Sequence, residues 1–365
     1  MFHFIGTNMT KISSVVREDA EIIASEMEKA FQRFVGKTVL ITGAAGFLGA
    51  YFLDVLAAFN DRNGKPCCRV VALDNFKGGV PERIEHLKDR EDIHFHRHNV
   101  NLPFQTGEQI DFILHAASIC SPPFYRKFPL ETIDTNVNGT RHMLELARGG
   151  TGSLLYLSSS EIYGDPDPSH IPTKEDYWGN VSCTGPRACY DESKRLAETL
   201  CITYHRLYGV PVKIVRPFNV YGPGQRLDDK RVVPDLLSAV LNHDSIVLYS
   251  DGMCSRSFCY VRDAVRGMFY VLLSEADSGA FNVGNEEEIT ITALAEKIAD
   301  LSPPPRPRIE YQTSREVDYL TDNPHRRQPD LTKLRALGWG PQVGLTEGLQ
   351  RTLRSYQELT TQELR

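Results

Sequence analysis

An α/β fold, a doubly wound parallel sheet with a smaller C-terminal lobe, is predicted by three observations. A short β-branched run turns on glycines into an amphipathic helix at residues 37–59. Strand-like apolar runs then alternate with helical patterns as far as residue 208, the arrangement of parallel strands joined by crossover helices. The 365 residues also exceed the usual size of one domain and leave length for a second lobe.

Composition narrows the function classes. Hydrophobic residues make up 41% and charged residues 24%, as in an ordinary globular protein, and a net charge of −6 gives no field to attract nucleic acid or an anionic membrane. Neither is expected as a partner, so an anionic ligand must be held by local donors. The eight cysteines are scattered, with only Cys67 and Cys68 adjacent and none at metal-ligand spacing. No metal site is expected; reduced thiols in a cytoplasmic protein are. The N-terminus has no apolar stretch long enough for a signal peptide or a membrane span.

Residues 1–35 read as a helical extension: Val15, Ile22, Ile23, Met27, Phe31 and Phe34 recur at helical spacing, a face to pack on the body or on a second subunit. Residues 36–215 read as the nucleotide-binding domain. In "KTVLITGAAGFLGAYFLDVLAAF" the glycines are Gly43, Gly46 and Gly49. The first makes the tight turn, the second lets a pyrophosphate approach the main chain, and the third lets the helix pack on the sheet. The next strand, "CRVVALDNF", ends in Asp74, placed to take the ribose hydroxyls of NAD and to repel a 2′-phosphate. "DFILHAAS" ends in small residues, including Ala116 and Ala117, that let a cofactor pass closely. "ETIDTNVNGTRHMLELAR" is a helix pattern, and "SLLYLSSSEIYG" is the following strand and its loop, which carries Ser159, Ser160 and Glu161. In "ACYDESKRLAETL", Tyr190 and Lys194 lie one helical turn apart on the same face. A phenol is a poor base at neutral pH, and a neighbouring ammonium and a nicotinamide cation would favour its ionised form. Residues 216–355 read mainly as the substrate lobe, interleaved with the first domain, and 356–365 as a tail.

These motifs together make the chain similar to the extended short-chain dehydrogenase/reductases that act on nucleotide sugars. The segment "EDYWGNVSCTGPRACYDESKRLAETLCITYHRLYGVPVKIVRPFNVYGP" resembles the UDP-glucuronic acid decarboxylases most, as do "SPPFY", "RSFCYVRDAV" and "PHRRQPDL". The resemblance covers about residues 36–355. It implies a Rossmann-type sheet, bound NAD, a nucleotide-sugar substrate and a homodimer built on helices 133–148 and 186–208. It implies that Tyr190 and Lys194 take the proton of the sugar 4-hydroxyl, that Ser159 holds that hydroxyl, and that Ser160 and Glu161 face the ring. Phe47, Leu48, Asn75, Asn99, Val100, His115 and Asn136 join the cofactor-binding set on the same ground. Ser121, Tyr125, Asn219, Arg231, Tyr249, Arg256 and Arg327 join the substrate-binding set, with Arg327 beside the reacting sugar. The chain departs from the family pattern at Gly224, where an arginine is usual, at Ile119 and Cys120, and at Asn99 in place of an aspartate.

Ser160 separates two reactions that share a first step. A 4,6-dehydratase must protonate a departing hydroxide, usually with an Asp-Glu pair, and a serine hydroxyl is too weak an acid for that. A 4-ketone β to a carboxylate loses CO₂ unaided, so a decarboxylase need only hold the carboxylate, stabilise the enolate and reprotonate C5. Decarboxylation of UDP-glucuronate is therefore expected. Glu161 either relays a proton through water or orients a sugar hydroxyl, and Arg327 holds the substrate carboxylate. A 4,6-dehydratase or C4 epimerase and an idle NAD-binding sensor or scaffold are the alternatives; the scaffold would be free to lose Tyr190 or Lys194, and both are present.

Overall fold

The computed structural model describes residues 12–363 except 65–66, 151, 277 and 315–320, with side chains to 360. Seven parallel strands form the central sheet: β1 (Thr38–Thr42), β2 (Arg69–Asp74), β3 (Ile93–Arg97), β4 (Phe112–His115), β5 (Ser153–Leu157), β6 (Val212–Pro217) and β7 (Ser278–Val283). Their order is β7-β6-β5-β4-β1-β2-β3. The chain winds outward from β1 to β3, returns to β4 and winds the other way, so the switch point lies between β1 and β4. Ligands of such sheets bind at that point, beyond the strand carboxyl ends.

Alternation along β1 divides the core. Val39 and Ile41 join an apolar cluster with α1 (Ser14–Glu26), α2 (Phe47–Arg62) and, in the C-terminal half, the helix Val261–Leu272; Leu40 joins Met143, Leu144, Ala197 and Tyr204 on the opposite face. The second cluster is covered by α3 (Thr140–Arg148) and α4 (Ala188–Tyr208). The extension expected at 15–34 is α1 followed by a short helical turn at Glu28–Phe31 and another at Gln32–Phe34. It packs on the body. Phe31 lies 5.4 Å from Phe59 and 4.9 Å from Phe269, ring centre to ring centre. Asp19 of α1 is fully buried and accepts hydrogen bonds from Tyr260 (2.7 Å) and Arg351 (2.7 Å).

The helix expected at 133–148 begins at Pro129 and passes through a π-turn, Thr135–Gly139, before α3. Such a turn disturbs the regular ladder and is frequent at functional sites. In the C-terminal half, Ser255–Ser257 pairs with Glu288–Thr290 on one side and with Arg326–Arg327 on the other, with Arg327 in register beside Arg256. β7 lies within the stretch assigned to the C-terminal lobe, yet it is an edge strand of the main sheet. No helix among the described residues is long and apolar enough to cross a membrane.

Candidate active site

The glycine turn leads from β1 into α2 and sets the cofactor side of the site. Gly43 has φ +66°, and a Cβ there would lie 2.8 Å from the Ala117 backbone, so the ends of β1 and β4 approach more closely than a side chain allows. A Cβ on Gly49 would stand 2.0 Å from the Gly43 carbonyl oxygen, which ties the helix to the turn. Gly46 caps α2, and Phe47 and Leu48 open its first turn, half-buried. Asp74 ends β2 beside this turn and accepts from the backbone N–H of Ala45 (2.9 Å) and of Phe76 (2.7 Å). Burial pushes its carboxyl up while these N–H groups pull it down. A carboxylate has about four lone-pair directions, so Asp74 keeps capacity for ribose hydroxyls. Asn75 caps the following turn at Lys77, and Asn99 and Val100 follow β3 at the same edge. These residues fit NAD: a close-approach backbone, a helix N-terminus and a strand-end acid converge at the switch point.

Two members of that set are buried supports. Both ring nitrogens of His115 are engaged, Nδ1 with Thr42 (2.7 Å) and Nε2 with Thr140 (3.1 Å), and burial beside Lys194 lowers its pKa to about 3. Its ring is therefore a neutral strut at the end of β4. Asn136, on the π-turn, accepts from Ser118 (2.8 Å) and donates to Ser193 of α4 (2.9 Å), fastening the β4 loop to the helix that carries Tyr190.

Tyr190 is buried in α4, stacked on Tyr125 with ring centres 5.2 Å apart and planes at 16°. Lys194 Nζ lies 5.8 Å from the Tyr190 ring centre and donates to the Leu157 carbonyl at 2.7 Å. Burial lowers the Lys194 pKa to about 8. Burial pushes the Tyr190 phenol well up, with Cys120, Glu161 and Asp191 adding to the rise, and a hydrogen bond with Ser159 pulls it down. The phenol thus stands above its ordinary value, whereas the sequence led to the expectation that Lys194 and a nicotinamide cation lower it. The Ser159 hydroxyl also accepts from the Glu161 backbone N–H at 3.2 Å, so the end of β5 and the tyrosine are joined through one serine. Ser160 is buried beside it.

Glu161 is clamped. Arg327 reaches it with both terminal nitrogens, one of them to Oε2 at 2.9 Å, and Arg187 bonds Oε2 as well. Although burial opposes ionisation, Arg187, Arg327 and Arg256 together hold the carboxyl well below the usual range. The Nε atoms of Arg187 and Arg327, the hydroxyl of Tyr125 and Oδ1 of Asp191 are buried without a partner. Unpaired buried polar atoms are costly, and a cluster of them around one carboxylate marks a place for a polar ligand. Arg256 is held by the loop before Arg326, donating to the carbonyls of His325 (3.3 Å) and Pro324 and to the side-chain Oδ1 of Asn323 (3.1 Å). Arg187 and Asp191, one helical turn apart, were missed at the sequence level, although both stand in "GPRACYDE" beside Tyr190.

The other residues expected on the substrate side are Ser121, before the helix Pro122–Lys127, and residues of the C-terminal half. Ser121 donates to the Asp229 carbonyl at 2.9 Å, and Arg231 pairs with Asp229. Asn219 has φ +40° and donates to Ser257 at 2.9 Å. Tyr249 lies farther out, exposed at the end of the strand Ile246–Leu248. The departure at Gly224 has a partner: φ is +82°, and a Cβ would lie 2.9 Å from Arg83 Nε. Arg83 comes from the segment after β2 and fills this space, paired there with Asp54.

Residues 39–284 match the NAD dependent epimerase/dehydratase family. The chain belongs to that family. It is 41% identical to UDP-glucuronic acid decarboxylase 1 of Arabidopsis thaliana over 87% of this chain and 69% of that one. It is 39% identical to UDP-glucuronic acid decarboxylase 1 of Danio rerio over 88% and 72%. Among solved structures, an epimerase from Methanothermobacter thermautotrophicus superposes with a TM-score of 0.79 at 27% identity, covering 93% of this chain and 97% of that one. A dTDP-glucose 4,6-dehydratase from Streptomyces venezuelae, solved with NAD bound, gives 0.74 at 26% identity over 88% and 97%. Like the family, this member is an NAD-dependent enzyme with a Rossmann-type sheet.

Proposed function

We propose that this enzyme decarboxylates UDP-glucuronate to UDP-xylose through a 4-keto intermediate and regenerates its NAD. Relatives named as UDP-glucuronic acid decarboxylases match along most of the chain. The observation that carries the chemistry is the pair Ser160–Glu161, with Glu161 held ionised between Arg187 and Arg327. That pair offers no acid to protonate a departing hydroxide, as dehydration requires. The guanidiniums beside it suit a sugar carboxylate, which they can grip by paired N–H groups.

NAD, when bound, would supply the acceptor for the C4 hydrogen and a positive charge that favours the ionised form of the phenol. Tyr190 takes the proton of the 4-hydroxyl, which Ser159 orients, and Lys194 adds positive charge close to the ring. With the ketone formed, Arg327 and Arg187 hold the carboxylate at C5 while the bond to CO₂ breaks. Tyr190 and Ser159 stabilise the enolate oxygen that develops at C4. The cofactor set is Gly43, Gly46, Phe47, Leu48, Gly49, Asp74, Asn75, Asn99, Val100, Ala116 and Ala117, with His115 and Asn136 supporting it from below. Ser121, Tyr125, Asn219, Arg231, Tyr249 and Arg256 form the substrate side.

Incubation with UDP-glucuronate should give a UDP-pentose and CO₂ by mass spectrometry, with no net reduced cofactor. Loss of water from a UDP- or dTDP-hexose, with UDP-glucuronate untouched, would point to a dehydratase instead.

The enzyme acts as a homodimer in this reading. Leu130 is 72% exposed and Leu207 67%, and with Ile133, Leu196 and Tyr208 they place apolar surface on the two helices expected to pair with a second copy. Light scattering at micromolar concentration should return twice the 41.1 kDa chain mass, and a monomer would refute the reading. The free state of all eight cysteines supports a cytoplasmic setting.

A further inference from the structure

Two carboxyl groups share the arginine cluster, Glu161 half-buried and Asp191 buried, and their surroundings are opposite. Glu161 is saturated by Arg187 and Arg327. Asp191 is the more enclosed of the two, but its Oδ2 is 3.8 Å from Arg187 Nε, too far for a good hydrogen bond, and its Oδ1 has no partner. The groups that face it are Arg187, Cys189 and Tyr190 from its own helix, Glu161 from the turn after β5, Tyr125 from the helix Pro122–Lys127, and Asp322 and Arg327 from the segment 321–327. Two carboxyls set apart in this way take different roles, one a fixed anion and the other a carrier of a proton.

We propose that Asp191 is the proton store for the decarboxylation: it enters the reaction as a neutral carboxylic acid, and its proton reaches C5 through one water after CO₂ has left. The proposal deepens the function given above and rests on it. In the step, the C5–carboxylate bond breaks and its electron pair passes into the enolate. The enolate then re-forms the C4 ketone as C5 takes the proton that leaves the Asp191 oxygen. Solvent returns that proton to Asp191 once the product has gone, so no oxidant or further reactant is needed.

Charge explains the timing. Burial and the neighbouring Glu161 and Asp322 push the Asp191 carboxyl up to about 8, so it is largely protonated at neutral pH. A neutral Asp191 also spares Tyr190 an adjacent negative charge during oxidation, since an ionised Asp191 pushes the phenol further up. The sugar carboxylate adds one more anion to the cluster and keeps Asp191 protonated. Departure of neutral CO₂ moves that charge from the carboxylate beside the arginines to the enolate oxygen held by Tyr190 and Ser159, and the enolate then draws the Asp191 proton to C5.

The test is a single turnover of the NAD-loaded enzyme with UDP-glucuronate, following reduced-cofactor absorbance and CO₂ together. In Asp191→Asn, oxidation and CO₂ release should survive, while decay of the reduced cofactor slows by at least ~100-fold. In the unaltered enzyme that decay should fall about tenfold per pH unit above about 8, and the variant should lose this dependence. Decay at the unaltered rate in the variant overturns the proposal. So does a flat decay rate between about pH 6 and about pH 10 in the unaltered enzyme, a measurement that does not depend on the variant folding. Failure of the unaltered enzyme to release CO₂ from UDP-glucuronate would instead overturn the assigned reaction.

Discussion

Tyr190→Phe is expected to slow formation of the 4-keto state by about 10²- to 10⁴-fold, the usual contribution of a positioned acid–base group. The hydrogen at C4 cannot leave as hydride while the hydroxyl keeps its proton, and a phenyl ring cannot take that proton. The fold should survive, because the ring stays in contact with Tyr125, 5.2 Å away, and what is lost is the hydrogen bond with Ser159. Reduced-cofactor absorbance after mixing with UDP-glucuronate should remain at baseline. An absorbance rise at the unaltered rate would show that another group takes the proton.

Glu161→Gln should leave that first rise within about tenfold and slow CO₂ release by about 100-fold, so that reduced cofactor persists. Glu161 is the counter-ion that occupies Arg187 and Arg327. A neutral amide frees both guanidiniums to pair fully with the sugar carboxylate. Binding then tightens in the ground state and not in the transition state, where the carboxylate charge is leaving. The Michaelis constant should therefore fall or hold while turnover drops. This pattern differs from that of Asp191→Asn, in which CO₂ escapes and only the return step stalls. A variant that never shows the absorbance rise would mean that Glu161 acts at or before oxidation.

The parts of this site that the sequence shows openly are those set by a few neighbouring residues. Gly43, with φ +66° and a backbone contact that excludes Cβ, is visible because a strand-to-helix turn makes local demands. Tyr190 and Lys194 share a face because four residues make about one helical turn. Ser160 can be read as chemistry because a hydroxyl remains a weak acid in any fold.

Other features depend on separated segments meeting in a low-dielectric interior, and only the tertiary structure decided them. Glu161 meets Arg187 and Arg327 across 26 and 166 residues, and that clamp makes it a fixed anion where the sequence left its role open. Asp191 stands beside the same arginine yet is pushed toward its neutral form, a difference set by burial and a bond's length of separation. His115, expected at the cofactor, has both ring nitrogens taken by Thr42 and Thr140. Arg83 fills the space at Gly224, and Asp19 fastens the N-terminal helix to Tyr260 and Arg351. Residue type and spacing determined the fold and the reaction class. The charge state of each acid was decided by desolvation and Coulomb attraction, which act through space and fall off within a few ångströms of the partners that folding brings together.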